Sequence, residues 1–183
     1  MVRWVVPSCL LSAAVCAAPT AQPAVAHNCA AWLDQTLRSL HSSQSRNLCE
    51  AYAGKALLIV NTASYCGYTP QFKELRLHQR YRAQGLVVIG FPSDDFWQEA
   101  SDESKTARLC FVNYGVTFDR SAPISVRGAG AHPLFRELAH RGDGFPRGNF
   151  HKYLVDADGN VAGTFSSRVA PQSEALGARS NVC

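Results

Sequence analysis

The stretch GKALLIVNTASYCGYTPQF places a cysteine, Cys66, between an unbroken apolar run and what reads as the start of a helix. ALLIV, Ala56 to Val60, is short and apolar enough for a fully buried strand. Gly67, Thr69 and Pro70 then open the helix. A thiol just past the carboxyl end of such a strand lies where open α/β sheets place functional groups. Free backbone N–H groups and the positive end of a helix favour thiolate over thiol there. A thiolate so placed can attack the O–O bond of a peroxide and become a sulfenic acid. The bland alternative is a small buried hydrophobe, the commonest fate of a lone cysteine. Position alone leaves both open.

The neighbouring residues exclude other chemistry. In CGYT, Thr69 stands where a CxxC oxidoreductase carries its second thiol. The histidines (27, 41, 78, 132, 140 and 151) form no HxxxH pair and no zinc-ligand spacing with a CxxC, so no metal is expected. His132 and His151 read as surface or half-buried groups. There is no GxGxxG, GxxxxGK[ST] or GxSxG. A formal net charge of +4 is mild, and no dense Lys/Arg patch with interleaved aromatics supports nucleic-acid binding.

The elements that must position Cys66 follow in order. After ALLIV, QFKELRLHQRYRAQG reads as a helix stopped by Gly85, and LVVIGFP as a second buried strand ended by Pro92. Two apolar strands joined by a helix make a parallel βαβ unit. SDESKTARLCFVNYG is a helix stopped at Gly115, APISVRG a weaker third strand, and HPLFRELAHRG a helix beginning near Pro133. In FHKYLVDADGNVAGTF, Tyr153 to Val155 and Val161 to Phe165 form a hairpin about DADGN, and APQSEAL opens a last short helix. A parallel βαβ half, an antiparallel hairpin and a closing helix predict an α/β chain with a thioredoxin-like fold, a central mixed sheet flanked by helices.

The N-terminus reads as a signal peptide over residues 1–26. MVR supplies a basic start, VVPSCLLSAAVCAA an uncharged apolar stretch, and PAVA the small residues a signal peptidase reads before cleavage after Ala26. The alternative, an uncleaved anchor, is opposed by Pro7, Pro19 and Pro23, which interrupt a spanning helix. The expected location is thus periplasmic or extracellular. Residues 27–53 form an N-terminal extension and residues 54–183 the main domain. Cleavage leaves Cys29, Cys49, Cys66, Cys110 and Cys183. In an oxidising compartment Cys29 and Cys49, flanking a compact segment, are expected to pair as a structural disulfide. The alternative is two buried free thiols.

From about Leu48 to Leu176 the chain resembles the glutathione peroxidase family. GKALLIVNTASYCGYTPQF looks like the signature around that family's peroxidatic residue, which falls on Cys66; GFPSDDF resembles its second signature. NYGVTF, AHPLF and GNFHKYLVDADGNV match further blocks in order. The resemblance implies reduction of hydrogen peroxide or organic and lipid hydroperoxides, an antioxidant role, and no cofactor beyond a thiol reductant as co-substrate. It also implies a tetrad of cysteine, glutamine, tryptophan and asparagine. Cys66 and Asn149 fill two places, but Asp95 stands at the glutamine and Gly148 at the tryptophan.

Both departures matter physically. A glutamine amide donates a hydrogen bond, whereas an ionised aspartate only accepts, and its charge opposes a thiolate nearby. Losing the indole removes an N–H donor and an apolar wall, leaving Phe145 or Phe150 to fill the space. Cys110 resembles the resolving cysteine of members that use thioredoxin instead of glutathione; the alternative is a core residue beside Leu109. The short segment between His132 and Asn149 resembles that of monomeric members. A second reading of different class is a non-catalytic redox-responsive or binding protein that kept the fold while the tetrad eroded.

Overall fold

The structure, a computed structural model, describes Met1 and residues 29–75, 79 and 81–176. The expected signal peptide beyond Met1, its cleavage point and Cys183 lie outside the described residues. No helix among the described residues is long and apolar enough to cross a membrane.

The chain enters through a short helical turn, Ala31–Leu33, and a hairpin of β1 (Thr36–Arg38) and β2 (Ser45–Asn47). A one-turn helix follows, α1 (Leu48–Tyr52), whose Asn47 cap accepts the N–H groups of Cys49 and Glu50. A disulfide joins Cys29 to Cys49, with 5.6 Å between their Cα atoms. The extension docks on the main sheet where Trp32 Nε1 donates to the Gly159 carbonyl at 3.1 Å. A Cβ at Gly159 would lie 2.4 Å from that of Ala30, and its φ of +85° suits glycine. The hairpin turn and the extension therefore fit because residue 159 has no side chain.

β3 (Ala56–Thr62) is buried along its whole length, as its apolar run requires. α2 is described over Gln71–Glu74, and a helical turn at Arg82–Gln84 ends at Gly85 in the left-handed region, φ +89°. β4 (Leu86–Pro92) pairs parallel with β3, so the expected βαβ unit is present. α3 (Glu103–Arg108) continues into a wider π turn, Leu109–Asn113, which carries Cys110. β5 (Asp119–Arg120) runs parallel to β4, α4 spans Pro133–Arg141, and β6 (Lys152–Val155) and β7 (Val161–Phe165) form the antiparallel hairpin. The sheet order is β5-β4-β3-β6-β7, with β6 antiparallel to β3.

The period-two alternation of β3 sends its side chains into two cores. Leu57 and Ile59 meet Phe91, Phe135, Leu138 and Tyr153 on the α4 face. Leu58 and Val60 meet Phe72, Leu75, Cys110, Phe118 and Phe150 on the other. Truncating Phe72 or Phe135 to alanine is expected to cost about 3–5 kcal/mol, because each is sealed inside one of these layers.

One expected strand is displaced. APISVRG, Ala122 to Gly128, is irregular, and the third parallel strand is Asp119–Arg120. Pro123 has no N–H to give a ladder. Ile124 donates to the Pro92 carbonyl, and the N–H groups of Val126 and Arg127 go to the Asp95 carboxylate. These bonds satisfy the backbone without a strand.

Candidate active site

Cys66 sits in the tight connection from β3 to α2. Its own N–H donates to Thr69 Oγ1 at 3.0 Å, and that hydroxyl donates onward to the Ala63 carbonyl at 3.1 Å. The Thr69 N–H closes the turn on the Cys66 carbonyl at 2.9 Å. The residue that replaces a second thiol is thus the staple of the turn. The N–H of Tyr68 points at Cys66 Sγ across 3.4 Å, a donor aimed at the atom that would carry negative charge. Cys66 is half-buried and packs on the edge of the layer containing Phe72 and Phe150, while Tyr65 and Tyr68 beside it are exposed.

Asn149 approaches from the segment before β6. Asn61 in β3 clamps that segment: its Nδ2 donates to the Gly148 carbonyl, its Oδ1 accepts the His151 N–H, and its carbonyl accepts the Phe150 N–H at 2.7 Å. Phe150 adopts φ +61° to make this possible, and its buried ring meets Phe72 edge-on at 5.1 Å. Of the two phenylalanines expected to replace the missing indole, Phe150 joins the layer against which Cys66 packs, and Phe145 lines an open groove. A Cβ at Gly148 would meet Ser167 Oγ at 3.2 Å, so Ser167 crowds the place where a larger side chain would start.

A residue that sequence reasoning passed over completes the cluster. Gln98 Oε1 accepts from Asn149 Nδ2 at 3.0 Å, and the Gln98 carbonyl accepts the N–H of Tyr65 at 2.9 Å. Two hydrogen bonds therefore connect the Cys66 turn to Asn149 through Gln98. Asn149 Oδ1 is buried without a partner. Reversing both amides keeps the bond, satisfies that oxygen and frees Asn149 Nδ2 as a donor. The available signal was an amide three residues after Asp95, in a segment where the resemblance led attention to Asp95.

Asp95 itself faces a different task. Its carboxylate accepts the Val126 N–H at 2.6 Å, the Arg127 N–H at 3.1 Å and the Ser125 hydroxyl at 3.0 Å. The structure joins Asn149 and Gln98 by a hydrogen bond, ties Gln98 to Tyr65 beside Cys66, and commits the Asp95 carboxylate to the 125–127 loop. Next to Asp95, Trp97 holds its indole in solvent at 82 % exposure with a left-handed backbone, φ +56°. It borders an open groove of ≈ 900 Å³ shared with Arg127, Phe145 and Arg147.

Cys110 is buried in the layer that also holds Leu58 and Phe72. Burial pushes its thiol up from the ordinary range. Glu99 couples its helix to the Cys66 turn: Ser64 Oγ and Thr106 Oγ1 both donate to Glu99 Oε1, the latter at 2.7 Å. Among the described residues no group of three His, Cys, Asp or Glu side chains could hold a metal ion.

Comparison with known proteins agrees with this geometry. The family model described as "Glutathione peroxidase" matches residues 36–139. A glutathione peroxidase of Lactococcus lactis subsp. cremoris (strain MG1363) is 42% identical over 127 residues, covering 66% of this chain and 81% of the relative. The glutathione peroxidase homolog BsaA of Bacillus subtilis (strain 168) is 40% identical over 130 residues, covering 67% and 81%. The crystal structure of Trgpx in apo form superposes with a TM-score of 0.65 at 29% identity, covering 83% of this chain and 94% of that one. With the thioredoxin-like sheet order and a cysteine at the β3–α2 turn, these matches leave one conclusion: the chain belongs to the glutathione peroxidase family.

Proposed function

We propose that this chain is an exported thiol peroxidase that reduces hydrogen peroxide and organic or lipid hydroperoxides in antioxidant defence. The Cys66 thiolate attacks one peroxide oxygen; the O–O bond breaks, and the alcohol or water leaves with a proton as Cys66 becomes a sulfenic acid. The Cys110 thiol then displaces the sulfenic oxygen as water, giving a Cys66–Cys110 disulfide. An external thiol reductant, a thioredoxin-like protein or glutathione, returns both cysteines to thiols by exchange. Asn149 and Gln98 orient the peroxide beside the sulfur, and Asp95 acts at a distance by fixing the 125–127 loop. The observation that carries this reading is the Cys66 turn itself, with an amide donor on the sulfur and the Gln98–Asn149 pair hydrogen-bonded to the preceding residue.

The Cys29–Cys49 disulfide supports the exported location, since such bonds persist outside reducing compartments. The short 132–149 segment supports a monomer. Gly148 and Asp95 favour the second reading, a redox-responsive or binding protein without turnover. Assaying the mature protein with hydrogen peroxide and cumene hydroperoxide, with thioredoxin or glutathione as reductant, separates the two. Turnover that disappears in Cys66→Ser supports the enzyme, and equal, negligible turnover in both proteins overturns it.

A further inference from the structure

Arg120 is only 5 % exposed, yet Nε, Nη1 and Nη2 are all buried without a hydrogen-bond partner. A guanidinium keeps its proton in such a place, so a positive charge is enclosed there. The neighbouring carboxylate does not answer it. Asp119 points to the opposite face of β5, where it takes Arg46 Nη1 at 2.9 Å and the Tyr52 hydroxyl at 2.5 Å. The position is built for the arginine: at Gly90, on the adjoining strand, a Cβ would lie 2.9 Å from Arg120 Cγ and 3.1 Å from the Phe118 ring.

The guanidinium meets the π turn of Leu109–Asn113. Its central carbon lies 3.7 Å from the centroid of the Phe111 ring, and Cys110, the adjacent residue of the same turn, is buried. The Arg120 charge draws the Cys110 thiol down against the larger upward push of burial. The charged groups acting on the pair are few. Glu99 opposes a charge on Cys110 from longer range, but its carboxylate is engaged by Ser64, Ala100 and Thr106. Asp119 adds a lesser pull on Arg120. The turn is secured on its inner side by Cys110, while Phe111 and Val112 beside it are exposed. Wide helical turns of this kind recur at functional sites.

We propose that Arg120 is the positioning residue of the resolving step, supplying the counter-charge that stabilises Cys110 as a thiolate for attack on oxidised Cys66. This rests on the reading of Cys110 as the resolving thiol. Cys110 gives up its proton, its sulfur attacks Cys66 sulfur, the S–S bond forms and the S–O bond breaks. The departing hydroxide takes the proton and leaves as water. The phenylalanine stacked on the guanidinium keeps water from competing for the cation until the turn opens.

The test uses the full mature chain with Arg120→Met and Arg120→Lys. Thiolate absorbance near 240 nm, taken as the difference between Cys66→Ser and Cys66→Ser/Cys110→Ser, titrates Cys110 alone. Arg120→Met is expected to move that midpoint upward by about one pH unit, and Arg120→Lys by less. Mass spectrometry at timed quenches after one equivalent of peroxide gives the rate of Cys66–Cys110 bridging relative to Cys66 oxidation in the same variant. That ratio is expected to fall about tenfold in Arg120→Met. If Arg120→Met does not fold, Arg120→Gln, which keeps a planar polar end and loses the charge, decides through the same two readouts. A Cys110 midpoint and bridging ratio unchanged in the folded charge-free variant would overturn the proposal. A bridge that never forms in the wild-type chain, with a titration that still depends on Arg120, would overturn the resolving role of Cys110 and leave the ion pair standing.

Discussion

The Asn149 side-chain amide is hydrogen-bonded to that of Gln98 across 3.0 Å, and the Gln98 carbonyl holds the N–H of the residue before Cys66. Gln98 thereby fixes the asparagine and the cysteine turn relative to each other. Its replacement by alanine leaves a buried amide without a partner, a loss of about 1–3 kcal/mol, so Cys66 oxidation by hydrogen peroxide should slow about tenfold or more. Asn149→Ala should slow it similarly, and the double variant should be no slower than about the worse single one, since the two amides act as a unit. Stopped-flow oxidation of the reduced protein measures all three. Additive losses would show that the pair does not act together.

Asp95→Ala should separate stability from chemistry. The variant strands two backbone N–H groups and a hydroxyl, which should lower unfolding stability by about 1–3 kcal/mol. Because the carboxylate is turned to the 125–127 loop, Cys66 oxidation should change by less than about threefold, well under the Gln98 effect. Urea unfolding and stopped-flow oxidation on the same preparation give both numbers.

The extension should matter to stability. The Cys29–Cys49 bond spans 20 residues, and on a chain-entropy view its removal costs about 3 kcal/mol. Cys29→Ser/Cys49→Ser should therefore melt earlier while the folded fraction still oxidises Cys66 at the wild-type rate. Differential scanning calorimetry with and without a strong reductant checks the first point. A melting temperature insensitive to both changes would count against it.

Acid should weaken the fold through His151. Burial, and then the charges of Lys152 and Arg147, depress this imidazole to about 4, and its Nε2 is buried without a partner. In the unfolded chain it titrates near the ordinary value of about 6.5. Between those two values the unfolded state binds the extra proton, so stability is present above about pH 6.5 and is lost as pH falls towards 4. Urea unfolding across pH 4–7 should show this slope, and His151→Phe, which retains an aromatic ring against Tyr153, should flatten it.

Much of this was legible in the chain itself because β3, β4 and the final hairpin are written in local pattern. ALLIV and LVVIGFP have no polar interruption, and DADGN is a turn by composition, so strands and pairing follow from short-range chemistry. What stayed hidden depends on long-range hydrogen bonds. Ala122–Gly128 carries apolar residues suited to a strand, but the side chain of Asp95, some thirty residues earlier, takes its N–H groups. The same bonds turn the Asp95 carboxylate to the 125–127 loop, and the side chain hydrogen-bonded to Asn149 is that of Gln98. Arg120 was equally unreadable: nothing in NYGVTFDRS says that the arginine faces inward and the aspartate outward, because a two-residue strand has too short a pattern to set its faces.

The most direct test is the fate of the Cys66 sulfur. The reduced full-length mature protein receives one equivalent of hydrogen peroxide without reductant, and intact-mass and peptide analysis follow at timed quenches. The expected result is consumption of that equivalent with a Cys66 sulfenic acid that converts to a Cys66–Cys110 disulfide, and no consumption by Cys66→Ser. Peroxide left unconsumed by the wild-type chain, or consumed equally by Cys66→Ser, would contradict a peroxidatic role for Cys66.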